Sequence, residues 1–263
     1  MPRPLGFVPT MGALHDGHLQ LVRAARAQCA SVVASVFVNP MQFGPNEDFE
    51  KYPRDLEGDR RKLQETGVDY VFTPDTKAMY PPGFSTIVEV GALGTVFEGA
   101  IRPEHFRGVT TVVSKLLHVV NPDALYLGQK DAQQTAVLRK MVRDLDFQTR
   151  VEIVPTVRET DGLAMSSRNA YLSPQERAAA PTLHAALQQM LNELQNGSDV
   201  VQARERARER LAAPGTWDYL DAVEMDTFAP LEQLRAPAFI IGAARFGSTR
   251  LIDNLLVTDD GSI

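Results

Sequence analysis

Residues 31–38, Ser-Val-Val-Ala-Ser-Val-Phe-Val, form a β-branched, apolar run in which small serines are the only polar members. A strand with one wet face alternates polar and apolar positions. A run like this one belongs to a strand covered on both faces, which is the habit of parallel sheets flanked by helices. The neighbouring sequence agrees. Gly6-Phe7-Val8 is a candidate first strand closed by Pro9, and from Gly17 onward Leu19, Val22, Ala25 and Cys29 recur at helical spacing. Residues 59–66 read as a helix and 68–72 as a strand. Val109, Val112, Val113, Leu116, Leu117 and Val120 keep the 3.6-residue period, leading into a strand over 124–127, a helix over 131–145 and a strand over 150–157. Such alternation predicts an α/β fold with a Rossmann-like parallel sheet over residues 1–157.

After 157 the pattern changes. Ser173-Pro174-Gln175-Glu176 is a capping box with proline at the first helical position, predicting a long helix that stops near Gly197. A charged helix follows, then strands over 217–225, 238–244 and 249–257, the last two forming a hairpin around Phe246-Gly247-Ser248. Residues 158–263 are therefore expected to be a smaller α+β domain with an antiparallel sheet, closing over the site of the first.

Bulk properties narrow the partners. A net charge of −6, with no long block of like charge, disfavours nucleic acid. The basic stretch 204–210 is interleaved with Glu205 and Glu209, as on a solvated helix face. No apolar run approaches the ~20 residues that cross a bilayer, and the start has no signal-peptide core. The expectation is a cytoplasmic protein with no membrane partner. The single cysteine, Cys29, reads as a small buried hydrophobe.

Chemistry concentrates between the first strand and the first helix, in Pro9-Thr10-Met11-Gly12-Ala13-Leu14-His15-Asp16-Gly17-His18. In an open parallel sheet this junction holds phosphates, because free backbone N–H groups and the positive helix end face the ligand. His15 and His18 project to one side of one turn, where they can donate hydrogen bonds to charge growing on an attacked phosphorus. Gly17 between them lets a flat base or sugar approach the backbone. The competing readings are a metal pair or two polar loop residues. No acidic metal-ligand partner is evident and H-E-x-x-H is absent, so the nucleotide reading is preferred and no protein metal site is expected.

Three further stretches carry weaker signals. Met165-Ser166-Ser167-Arg168-Asn169 offers hydroxyls, backbone N–H groups and a guanidinium, a clamp for the β- and γ-phosphates of departing pyrophosphate; alone it would pass for a simple loop. Gly128-Gln129-Lys130-Asp131 ends a strand and opens a helix. There Lys130 suits a phosphate and Asp131 a helix cap or a ribose hydroxyl, with Gln134 one turn on. Gln42, in Asn39-Pro40-Met41-Gln42-Phe43, offers a donor and an acceptor to a hydroxy acid. Arg102 reads equally as a surface charge or an anion contact. His105, His118 and His184 lack partners at catalytic spacing and read as structural or surface residues.

Taken in order, these motifs resemble the pantothenate synthetase family, in the HIGH-motif nucleotidyltransferase superfamily related to class I aminoacyl-tRNA synthetases. The resemblance spans nearly the whole chain, adding Tyr52-Pro53-Arg54-Asp55, His105-Phe106-Arg107-Gly108-Val109, Lys130-Asp131-Ala132-Gln133-Gln134 and Arg250-Leu251-Ile252-Asp253-Asn254. It implies that Met11, Gly12, Ala13, Leu14, His15, Asp16, Gly17 and His18 bind ATP, with His18 treated as catalytic beside His15 and Lys130. Gly128, Gln129, Lys130, Asp131, Val157, Met165, Ser166, Ser167 and Arg168 would complete the ATP site. Gln42 and Gln134, with Asn39 and Arg102, would serve pantoate, Gln42 also lying near β-alanine. Three departures stand out. The family usually has a further segment, including a helix, before the first strand; Gln129 stands where glutamate is common; and the Met165 loop lacks the two lysines of K-M-S-K-S.

The implied reaction joins pantoate to β-alanine at the expense of ATP, with Mg²⁺ carried on the ATP phosphates, through a pantoyl adenylate, in a homodimer. Two rivals stay open: transfer of the nucleotide itself to a phosphorylated alcohol, and a non-catalytic nucleotide- or RNA-binding module.

Overall fold

The first strand does not stop at its proline. In a computed structural model that describes residues 1–45, 47 and 49–258, β1 runs Leu5–Thr10 through Pro9. Its pairing with β4 ends at Phe7, whereas its pairing with β2 continues to Thr10. Proline, which has no N–H, therefore sits where only one neighbour still pairs.

In chain order α1 (Asp16–Gln28) leads to β2 (Ser31–Val36), α2 (Leu56–Glu65), β3 (Tyr70–Phe72), α3 (Thr76–Met79), α4 (Glu98–Ile101), α5 (His105–Val120), β4 (Ala124–Gly128), α6 (Ala132–Asp144) and β5 (Arg150–Val154). The five strands are all parallel, in the order β3-β2-β1-β4-β5. The order reverses between β1 and β4, so the segments that follow these two strands flank the crevice where open α/β sheets bind ligands.

Helix α1 lies against β1 and buries Val22 and Ala25 of the expected stripe, with Cys29 buried just beyond its end; Leu21 is buried in place of Leu19, which is only half-buried. The approach is close: a Cβ on Gly6 would sit 3.0 Å from Cys29 Sγ and 3.2 Å from Ala25 Cβ. α2 starts three residues before its expected position because Asp55 caps it, accepting from Gly58 N at 3.0 Å. α5 likewise gains a turn, since His105, Phe106 and Gly108 are buried along with the expected apolar stripe.

Contacts group the chain into two compact units, Met1–Gln129 with Gln133–Pro155 and Lys130–Ala132 with Thr156–Ile263. The second contains α7 (Pro174–Ala179), α8 (Thr182–Gln195), α9 (Val200–Arg208), β6 (Gly215–Glu224), β7 (Ala238–Phe246) and β8 (Thr249–Val257). The expected single helix to Gly197 is two. The Ser173 capping box opens α7 as read, with Ser173 N donating to Glu176 Oε2 at 2.8 Å. Pro181 then breaks the run, because a proline cannot donate the amide bond that would continue α7. The antiparallel sheet β6-β7-β8 has the expected β7–β8 hairpin, turned by Gly247 at φ +58. Leu187, Met190 and Leu191 of α8 and Ala203 of α9 form one core with Leu220, Ile240 and Leu255 of the sheet. Among the described residues, no helix is long and apolar enough to cross a membrane.

Candidate active site

The turn after β1 is built to be rigid. Gly12 and Ala13 hold left-handed conformations at φ +84 and +52. Asp59 of α2, only 2% exposed, fixes them, its carboxylate accepting from Ala13 N at 2.9 Å and Leu14 N at 2.8 Å. Lys62, one turn further along α2, donates to Leu14 O at 2.7 Å. Gly12 N donates to Thr10 Oγ1 at 3.2 Å, and any Cβ on Gly12 would meet Asp59 Oδ2 at 2.7 Å. The expectation of free amides here is thus corrected. The N–H groups of residues 12, 13 and 14 are engaged within the protein, Gly12 by the Thr10 hydroxyl and Ala13 and Leu14 by the buried Asp59 carboxylate.

His15 caps α1 and His18 is its third residue, with ring centroids 4.1 Å apart. The His15 amide donates to His18 Nδ1 at 3.4 Å, so Nδ1 is the acceptor and the ring's N–H is at Nε2. The expected same-side pairing is present.

A second cluster surrounds Gln42, 8% exposed in the short 3-10 turn Pro40–Gln42. Asn39 Nδ2 donates to Gln42 Oε1 at 3.0 Å and to Gly108 O at 3.1 Å, while Asn39 Oδ1 accepts from Tyr80 OH at 2.8 Å and Met41 N at 3.3 Å. Asn39 therefore orients the Gln42 amide, leaving its Nε2 end as the donor end. α5 presses on this turn where it has no side chain: a Cβ on Gly108 would lie 2.3 Å from Met41 O and 2.6 Å from Gln42 Cα.

Arg102 is neither a solvated charge nor an open anion contact. Its Nε and Nη2 bind Glu47 at 2.8 and 2.5 Å, Nη1 donates to His105 Nε2 at 3.1 Å, and Nη2 reaches Gln42 O at 3.4 Å. Burial opposes the Glu47 charge, but the hydrogen bonds and charge of Arg102 outweigh it and lower the Glu47 pKa. His105, read as structural, is structural in a specific way: its Nδ1–H donates to Gln42 O at 2.9 Å. Burial first, and the Arg102 charge second, push its pKa down to about 4. The neighbouring glutamines of α6 divide their work. Gln133 is buried and ties Glu98 N, Leu93 O and Val96 O, whereas Gln134 is only half-buried.

In the second unit, Met165 N donates to Val157 O at 2.9 Å, closing a tight strap from 157 to 165. Ser166 caps the 3-10 turn Ser167–Tyr171, accepting from Arg168 N at 3.2 Å. Lys130 and Ser166 line one shallow concavity with His184 and Asp253. Lys130 Nζ lies 3.5 Å from Asp131 Oδ1. Among the described residues, no three His, Cys, Asp or Glu side chains converge as a metal-binding group. Sequence reasoning misses Asp59, Tyr80 and Glu47 as site-building residues and gives His105 no specific role. Arg102 and His105 at helical spacing were the one local hint; the others act across 40 or more residues of sequence.

Residues 2–256 match the family model described as pantoate-beta-alanine ligase. The chain belongs to that family. Pantothenate synthetase of Acidobacterium capsulatum is 54% identical over 265 residues, covering 97% of this chain and 86% of that protein. A crystal structure of the Thermus thermophilus pantothenate synthetase superposes with a TM-score of 0.95 at 53% identity, covering 98% of this chain and 95% of the other. The Francisella tularensis pantoate-beta-alanine ligase, solved in complex with beta-gamma ATP and beta-alanine, is 35% identical with a TM-score of 0.79, covering 96% and 89%. This ligase thus shares with them the parallel sheet and the smaller antiparallel sheet.

Proposed function

We propose that this ligase condenses pantoate with β-alanine using ATP, through a pantoyl adenylate, and releases AMP and pyrophosphate. The observation that carries the reading is the His15–His18 pair on the rigid turn after β1, beside the switch point of a parallel sheet. Family membership supplies the substrates, and the Francisella tularensis complex supports ATP and β-alanine as ligands.

A pantoate carboxylate oxygen attacks the α-phosphorus, and pyrophosphate leaves in line. The amine of β-alanine then attacks the acyl carbon, loses a proton and expels AMP. No protein nucleophile is required, since the adenylate is itself the activated acyl group. Positioning and charge stabilisation account for the catalysis. His18 donates from Nε2 to the phosphoryl oxygens beside His15, and Lys130, Ser166, Ser167 and Arg168 hold the β- and γ-phosphates. The Nε2 end of Gln42, with Gln134, orients the hydroxy acid. Met11, Asp16, Gly17, Gly128, Gln129, Asp131 and Val157 contact the rest of the nucleotide. Asn39 and Arg102 serve the acid indirectly, by holding Gln42. Mg²⁺ enters as the counter-ion of the ATP phosphates.

Product analysis tests this. Incubation with pantoate, β-alanine and Mg-ATP yields AMP and pantothenate in equal amounts. Formation of ADP and phosphate would overturn the adenylate route, and a product retaining the nucleotide would favour nucleotidyl transfer.

A further inference from the structure

The Arg250–Asn254 motif has no part in the reaction above, yet its last two residues are buried and polar. Asp253 is 4% and Asn254 2% exposed. They lie next to one another on β8 and face opposite sides of it. Asp253 takes a two-pronged contact from Arg158, with Nη1 to Oδ2 at 2.7 Å and Nη2 to Oδ1 at 3.0 Å. Its Oδ1 also accepts from Asn254 N at 2.8 Å. His184 Nδ1 lies 3.2 Å from Oδ2, close enough to interact electrostatically with the carboxylate.

Arg158 belongs to the strap that leads to Met165. It bridges to Ala164, its Nη1 also donates to Gly162 O at 3.1 Å, and Glu159 N donates to Leu163 O at 2.8 Å. Asn169, just past the phosphate loop, donates to Ala164 O at 3.1 Å and Glu159 Oε1 at 2.9 Å. On the other side, Asn254 Nδ2 donates to Lys130 O at 2.9 Å. One dipeptide thus fixes the base of the Met165–Arg168 loop and the backbone of Lys130, two segments more than 30 residues apart in sequence. A buried ion pair is weak ground for stability, since an apolar replacement often does as well. What Arg158–Asp253 supplies that an apolar pair would not is fixed geometry.

We propose that Asp253 and Asn254 are positioning residues for phosphate binding: Asp253, through Arg158, sets the Met165–Arg168 loop, and Asn254 sets Lys130. The inference rests on the reading that those groups hold the β- and γ-phosphates.

The test compares ATP with AMP, which lacks those phosphates. Two variants of the full chain are used, Asn254→Ala and the double substitution Arg158→Met with Asp253→Leu. The first removes a single side chain, and the second replaces the ion pair by apolar groups that keep the fold. Thermal melting confirms folding. The KM for ATP rises about tenfold in each, the scale of one lost buried hydrogen bond. Inhibition by AMP and the KM values for pantoate and β-alanine stay at their wild-type values. Folded variants with an unchanged KM for ATP, or with ATP and AMP weakened together, would overturn the proposal. A wild-type protein that binds AMP as tightly as ATP would instead overturn the phosphate reading beneath it, and that failure shows before any substitution is made.

Discussion

His105 Nδ1–H donates to the Gln42 carbonyl at 2.9 Å while its Nε2 accepts from Arg102 at 3.1 Å. Both ring nitrogens are engaged, and the Nε2 bond requires the neutral ring. The Gln42 turn is therefore held by a histidine that must stay unprotonated.

A pH dependence of stability follows. The folded pKa of His105, about 4, is below the ordinary value of 6.5. Below pH 6.5 the unfolded chain takes up a proton that the folded chain refuses, so stability falls as the pH drops toward 4 and is fully present above 6.5. The full span corresponds to roughly 3 kcal/mol. Urea unfolding at steps from pH 7 to pH 4.5 reads it, and His105→Asn flattens the curve in that window. An equally steep curve in the variant would contradict the assignment.

Gly108→Ala is expected to damage the same turn from the other side. Its Cβ would lie 2.3 Å from Met41 O, which is backbone and cannot rotate away. Overpacking of this kind costs about 1–3 kcal/mol. The denaturation midpoint falls accordingly, and the KM for pantoate rises while that for ATP changes less. A stable variant with an unchanged KM for pantoate would show that α5 does not set Gln42.

Asp59→Asn replaces a carboxylate that accepts two consecutive amides by a group with one acceptor and an NH₂ that opposes the second amide. The expected loss is about 1.5–3 kcal/mol, the range for hydrogen bonds to charged groups. Amide exchange at Ala13 and Leu14 reads the local effect directly: both become faster than in the wild type. Unchanged protection would mean that the turn holds its shape without the carboxylate.

These residues mark the division between what was legible in the sequence and what was not. The covered run at 31–38, the glycine-bracketed His15–His18 turn and the Ser173 capping box are local signals: the first forms β2 over its first six residues, the second lies at the start of α1, and the third opens a helix, though a shorter one than expected. The break at Pro181 is also a local signal, since proline lacks the amide donor that would continue the helix, and the expectation of one helix to Gly197 does not take it into account. Asp59 was unreadable for a different reason. Its partners Ala13 and Leu14 are 46 and 45 residues away, and no local pattern announces which buried carboxylate will fill an amide concavity. Sequence alone does not decide between a surface and an anion role for Arg102, because its partner Glu47 is 55 residues distant.

The central claim is adenylate formation. It is tested most directly by exchange of labelled pyrophosphate into ATP with pantoate present and β-alanine absent. Exchange is predicted with pantoate and not without a carboxylic acid, and His18→Ala lowers its rate by ~10²–10³, the typical cost of removing one preorganised donor. Absence of exchange in folded protein that binds ATP, or a His18→Ala variant exchanging at the wild-type rate, would contradict the account.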